Sequence, residues 1–86
     1  MAQIAVEHVE DGLHPNEVVV TIRTAENQTE EVAVDRRLVE NNRLRASEVG
    51  SQHERVLVEL PRETLSGSWR VWMPRTSVFG VGEAKA

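Results

Sequence analysis

The side chains able to do chemistry fall into a few groups. His8, Asp11 and His14, with Glu7 and Glu10 beside them, are the densest set of metal-type donors. Their spacing matches no ligand motif and they lie in turn-forming sequence, whereas a structural site needs about four converging donors and a supporting shell. No metal is expected. Arg36, Arg37, Arg43 and Arg45 form the densest basic cluster, and arginine suits bidentate contact with phosphate. No aromatic ring interleaves with them to stack a base, Asp35 and Glu40 dilute the charge, and the sequence pI is about 5.3. Ser51, Ser66, Ser68 and Ser77 sit in turns without the strained elbow that exposes a serine nucleophile. HExxH and glycine-rich phosphate-loop patterns are also missing, and Glu30 and Glu31 alternate faces on a strand. Neither catalysis nor a cofactor is expected.

Trp69 and Trp72 are the remaining candidates. Three residues apart on a strand, they point to opposite faces. Trp69 shares the apolar face with Val71 and Met73 and is expected in the core. Trp72 shares its face with Arg70 and is expected to be partly exposed; tryptophan beside arginine is the composition of binding hot spots. The candidate binding residues are therefore Trp72 and Arg70, with Arg36, Arg37, Arg43 and Arg45 for a nucleic-acid alternative.

The elements that must position these residues read as strands. Ile4 to Val9 alternates loosely, with Ile4 and Val6 on one face. Glu10 to Asn16 is turn material. Glu17 to Thr24 is dense in β-branched residues, with Val18, Val20 and Ile22 on one face. Ala25 to Gln28 reads as a hairpin loop in which Asn27 takes the left-handed conformation. Thr29 to Asp35 turns Val32 and Val34 inward. Arg36 to Arg45 fits neither template; it reads as an irregular segment with a turn at Glu40–Asn42 and a strand over Arg43–Glu48, a short helix being the alternative. Val49 to His53 is a turn. Glu54 to Leu60 is a strand stopped by Pro61, and Pro61 to Leu65 suits one helical turn with proline at its first position. Ser66 to Ser68 turns the chain into Trp69–Met73. No internal repeat is visible.

The chain has 86 residues, enough for one domain, of net charge −4. With two Trp, one Phe and no Tyr, the core must come from Val and Leu. The absence of Cys removes disulfides and thiolate chemistry and points to a reducing cytosol. The N-terminus has neither the basic region nor the apolar run of a signal peptide, and no stretch has the length of a membrane span. Residues 1–35 carry eight acids and one base, residues 36–86 nine bases and six acids. That asymmetry offers a route to self-association.

The segment Trp69 to Val78 resembles the closing part of SH3-like barrels. A strand ends at Pro74, a single 3₁₀ turn occupies Pro74–Ser77, and Val78 returns to the barrel. The resemblance implies fold alone; a tyrosine-rich peptide groove has no counterpart here. The expected fold is thus all-β: a small SH3-like barrel or sandwich of five to six antiparallel strands over residues 1–79, with 80–86 as a tail. The expected function is a non-catalytic protein-interaction or assembly module of a bacterial cytoplasm, binding another protein or itself as a homodimer, with no membrane contact. An RNA-associated barrel and an accessory subunit of a larger enzyme are the alternatives.

Overall fold

β-branched residues at alternate positions give each strand one face fit for burial, and two such faces close on each other. The computed structural model describes residues 2–80. Within them are β1 (Ala2–Ala5), β2 (His8–Asp11), β3 (Glu17–Arg23), β4 (Thr29–Asp35), β5 (Val39–Glu40), β6 (Arg43–Ser51), β7 (Arg55–Glu59), β8 (Arg70–Pro74) and β9 (Val78–Phe79). Two 3₁₀ turns, Arg36–Leu38 and Arg75–Ser77, precede β5 and β9. All pairing is antiparallel, in a six-stranded sheet of order β8-β7-β6-β1-β9, with β5 also on β6, and a three-stranded sheet β2-β3-β4. Val18, Val20 and Ile22 of β3, Val32 and Val34 of β4, and Val56 and Val58 of β7 join Ile4, Leu44 and Met73 in one core. Among the described residues no helix is long and apolar enough to cross a membrane.

The backbone is a repeat that the sequence hides. β3 pairs with β4 from Glu17↔Asp35 onward, and β7 pairs with β8 from Arg55↔Pro74 in the corresponding register. Val39 of β5 pairs with Leu44, as Val78 of β9 pairs with Ile4. Arg36 donates its backbone N–H to Asn16 and Arg75 donates its own to Glu54, each just ahead of a long strand. Thr24 and Thr64, both buried, make matching hydrogen bonds. Each backbone N–H reaches the carbonyl four residues on (Gln28, Ser68), and each hydroxyl accepts the N–H of that same residue. The two halves meet about a pseudo-two-fold axis at the Ile4↔Leu44 pair of the β1–β6 ladder.

The symmetry also answers the edge problem. β4 and β8 each end a run of strands, and an uncovered edge invites pairing with another chain. The tip between β3 and β4 covers β8: Ala25 N–H donates to Trp72 O at 2.8 Å, and Arg55 meets Glu26 at 3.1 Å. The β7–β8 loop covers β4 in return, with Leu65 N–H to Glu31 O and Ser66 Oγ to Glu30 Oε1, each at 2.8 Å.

Several expectations are corrected. The all-β antiparallel fold is as expected; among the described residues it is divided into nine strand segments, because the first strand breaks at Val6–Glu7 and two-residue strands form beside β6 and β1. Arg36–Arg45 resolves into a 3₁₀ turn, β5 and a two-residue hairpin. Asn41 and Asn42 both take positive φ, 56° and 60°, as that turn requires. The turn expected at Val49–His53 is partly strand: β6 runs to Ser51 through a bulge between Glu48 and Gly50. Pro61–Leu65 is not helical; Thr64 N–H donates to Ser68 O within the loop and Leu65 N–H donates to Glu31 O of β4. Asn27 is left-handed as expected, φ 65°. Of the tail expected over 80–86, all but Gly80 lies outside the described residues.

Candidate functional site

The first 3₁₀ turn positions part of the arginine cluster. Asp35 caps it: Oδ1 accepts the Arg37 backbone N–H at 2.8 Å, and the Arg37 guanidinium donates to both carboxylate oxygens at 3.1 Å. These side-chain bonds first, and the backbone bond second, hold the Asp35 carboxyl below its ordinary value. A carboxyl lowered by folding stabilises fully above the unfolded-state value and loses that contribution as pH falls through its own lower one. Asp35→Asn is therefore expected to flatten the fall of the thermal midpoint below about pH 4. Circular-dichroism melts of both proteins across that range check it; identical slopes would refute it.

The other arginines are dispersed. Arg36 reaches Asp11 Oδ1 at 3.1 Å and the Pro15 carbonyl at 3.1 Å and 3.3 Å. Arg43 lies over the Phe79 ring, 3.8 Å from its centroid. Arg45 is exposed and has neither an ion pair nor a side-chain hydrogen bond among the described residues. Three of the four arginines in the sequence cluster thus have partners of their own, and one does not.

Trp72 is half-buried on β8, with the Arg55 guanidinium 4.8 Å from its ring centroid. Arg70 is exposed on the same strand face, 3.9 Å from Glu59. Trp69 departs from expectation: it is 51% exposed. Its carbonyl accepts the Leu60 N–H, so the β7–β8 ladder reaches it, but Leu60 and Thr64 are the buried residues at that level. Leu65, 70% exposed, shares the loop with Trp69. Leu13, on the β2–β3 turn, is 93% exposed. Sequence reasoning missed both leucines as surface features; their signal is an apolar residue set among turn formers.

Two of the clefts among the described residues are related by the pseudo-symmetry. One lies between Ala5–Glu7, Arg23 and Thr24, Pro74 at the end of β8, and Ser77 of the second 3₁₀ turn; its volume is about 290 Å³. The other, about 280 Å³, lies between Arg45–Ser47, Glu59–Pro61 and Leu38 of the first 3₁₀ turn. Their chemistry differs. Ser77 stands where the second has Leu38, and Ala5 where it has Arg45. The first has the Glu7–Arg23 pair at 2.8 Å. Leu38 and Arg45 also line a neighbouring depression with Asp35 and Arg37.

His8 stands 3.9 Å from Glu10, and no group of three or more acidic or imidazole donors gathers among the described residues. Ser66 is engaged in fastening its loop to Glu30. No protein family, curated protein or solved structure matches this chain.

Proposed function

We propose that the protein is a non-catalytic interaction module that holds a partner protein through the β7–β8 loop. The observation that carries this reading is the pair Leu65 and Trp69, both largely exposed on a loop whose backbone is already fixed. Leu60, Thr64 and Leu65 all donate their N–H groups to defined carbonyls, and Thr64 Oγ1 accepts the Ser68 N–H. Apolar side chains on a pre-organised loop lose little entropy on binding, and tryptophan is enriched among the residues that dominate interfaces. Arg70 and Trp72 lie on β8, the strand that leaves the loop. The strand stop at Pro74, the turn Arg75–Ser77 and the return at Val78 support an SH3-like reading of the fold. The lack of cysteine supports a reducing cytoplasm as its setting. Arg36 and Arg37 each pair with a carboxylate and Arg43 lies over Phe79, which counts against the RNA-associated reading.

Capture from lysate of the source organism tests it, using the intact protein and a Leu65→Ala/Trp69→Ala variant, each with and without nuclease. The expected result is one stoichiometric protein that survives nuclease and whose recovery falls about tenfold or more with the double variant. Ligands that vanish with nuclease, or a partner indifferent to both substitutions, would end the proposal.

A further inference from the structure

We infer that the protein forms a two-fold homodimer in which Leu13 of each copy enters the cleft beside Leu38 and Arg45 of the other. The two halves depart from their own symmetry at the turns that lead into β3 and β7. In the second half the turn runs from Gln52, whose N–H donates to Arg55 O, directly to His53. In the first half Gly12 N–H donates to Glu17 O, but Leu13 and His14 are interposed before Pro15. Leu13 therefore has no counterpart, and the fold does not require it. It is nonetheless held in place: its N–H donates to Glu17 Oε1 at 3.1 Å, and Glu17 N–H donates to His14 O at 3.0 Å. A leucine 93% exposed on an ordered turn is a surface knob.

The receiving cleft is where the second asymmetry lies. Leu38, Leu60 and Pro61 give it an apolar lining, and its volume of about 280 Å³ accommodates a leucine side chain. Its counterpart has Ser77 and Arg23 at the places of Leu38 and Pro61. Charge selects the occupant. Arg45 stands at the cleft without a partner, with Arg37 next to it. Glu10 and Asp11, separated from Leu13 by Gly12 alone, are exposed, although Asp11 already meets Arg36. Glu59, the carboxylate in the cleft, lies 3.9 Å from Arg70. The knob thus carries acids and the cleft a free base, which matches the opposite charge of the two halves of the chain.

Placement selects the symmetry. The Leu13 turn and the cleft adjoin: Arg36 ties the first 3₁₀ turn to Asp11 and Pro15, and Arg62, next to Pro61, stands 3.7 Å from Glu17. A knob and a hole side by side on one face can be exchanged reciprocally about a single axis, so the contact closes at two copies instead of propagating. The contact uses the base of the β7–β8 loop and leaves Leu65 and Trp69 outside it. A dimer would then present two partner-binding loops.

Sedimentation velocity on the full chain, from about 5 to 500 µM, tests this. The expected result is a monomer–dimer equilibrium that weakens about tenfold or more in both Leu13→Ser and Arg45→Glu, and stays unchanged in Leu65→Ala/Trp69→Ala. Both substituted sites are exposed, and unchanged circular dichroism confirms that the variants fold. A chain monomeric throughout, or a dimer that survives either single substitution, overturns the proposal. So does a dimer lost with Trp69, which would place the contact on the partner loop. Partner capture is read separately, so failure of one proposal leaves the other standing.

Discussion

Replacing Leu44 with alanine is expected to lower the unfolding free energy by about 3 kcal/mol, the middle of the range for emptying a well-packed leucine site. Leu44 is fully buried and sits where the two halves meet: it pairs with Ile4 of β1 on one side and Val39 of β5 on the other. Strands from both halves are pinned there, so the site has little freedom to collapse into the cavity. A chain of this size buries a modest share of its surface and sits near the low end of domain stabilities, so the variant would lose a large part of its margin. Urea titration followed by tryptophan fluorescence measures the change. A loss below about 1 kcal/mol would mean that the pair is not the centre of packing.

The second large effect concerns connectivity. Asn41 and Asn42 join β5 to β6 in a two-residue turn, and by the repeat Gly80 stands at the place of Asn41. Gly80, φ 83°, follows β9, and its neighbour Phe79 pairs with Gln3. The two ends of the described chain therefore adjoin as strand ends across a hairpin do. A circular permutant that joins Gly80 to Ala2 through roughly two residues and opens between Asn41 and Asn42 is expected to fold with native circular dichroism and one cooperative transition. A permutant opened at Glu26–Asn27 should be clearly less stable, because that tip covers the β8 edge through Ala25 and Glu26. Equal stability of the two, or failure of the first to fold, would refute the equivalence of the two hairpins.

Much of the fold was legible because valine and isoleucine alternate cleanly in β3, β4 and β7, and alternation maps directly onto burial. The left-handed Asn27 was legible from residue type. The repeat was not. Its conserved elements are hydrogen bonds from backbone groups and from residues such as Thr24 and Thr64, which carry no periodic signal, and insertions such as Leu13–His14 shift the register between halves. Trp69 was misplaced because parity decides which side of a sheet a residue takes. It does not say whether interior remains on that side, and Leu60 had filled it. Arg36 to Arg45 looked like one basic patch because adjacency in sequence is not convergence in space. A 3₁₀ turn and a tight hairpin aim the four guanidiniums at Asp11, Asp35, Phe79 and solvent.

The mutual covering of β4 and β8 bears on how the chain comes off the ribosome. Thr29–Asp35 is synthesised well before Leu65 and Ser66, the residues that shield it, and the first half has no shield of its own to offer. Throughout that interval β4, paired with β3 on one side, displays its other edge uncovered. Docking must await pairings between distant parts of the sequence, which slows folding. Truncated or stalled chains ending before Leu65 should accordingly be the species that chaperones retain and that aggregate when chaperones are limiting, while the finished chain buries the hazard in one step.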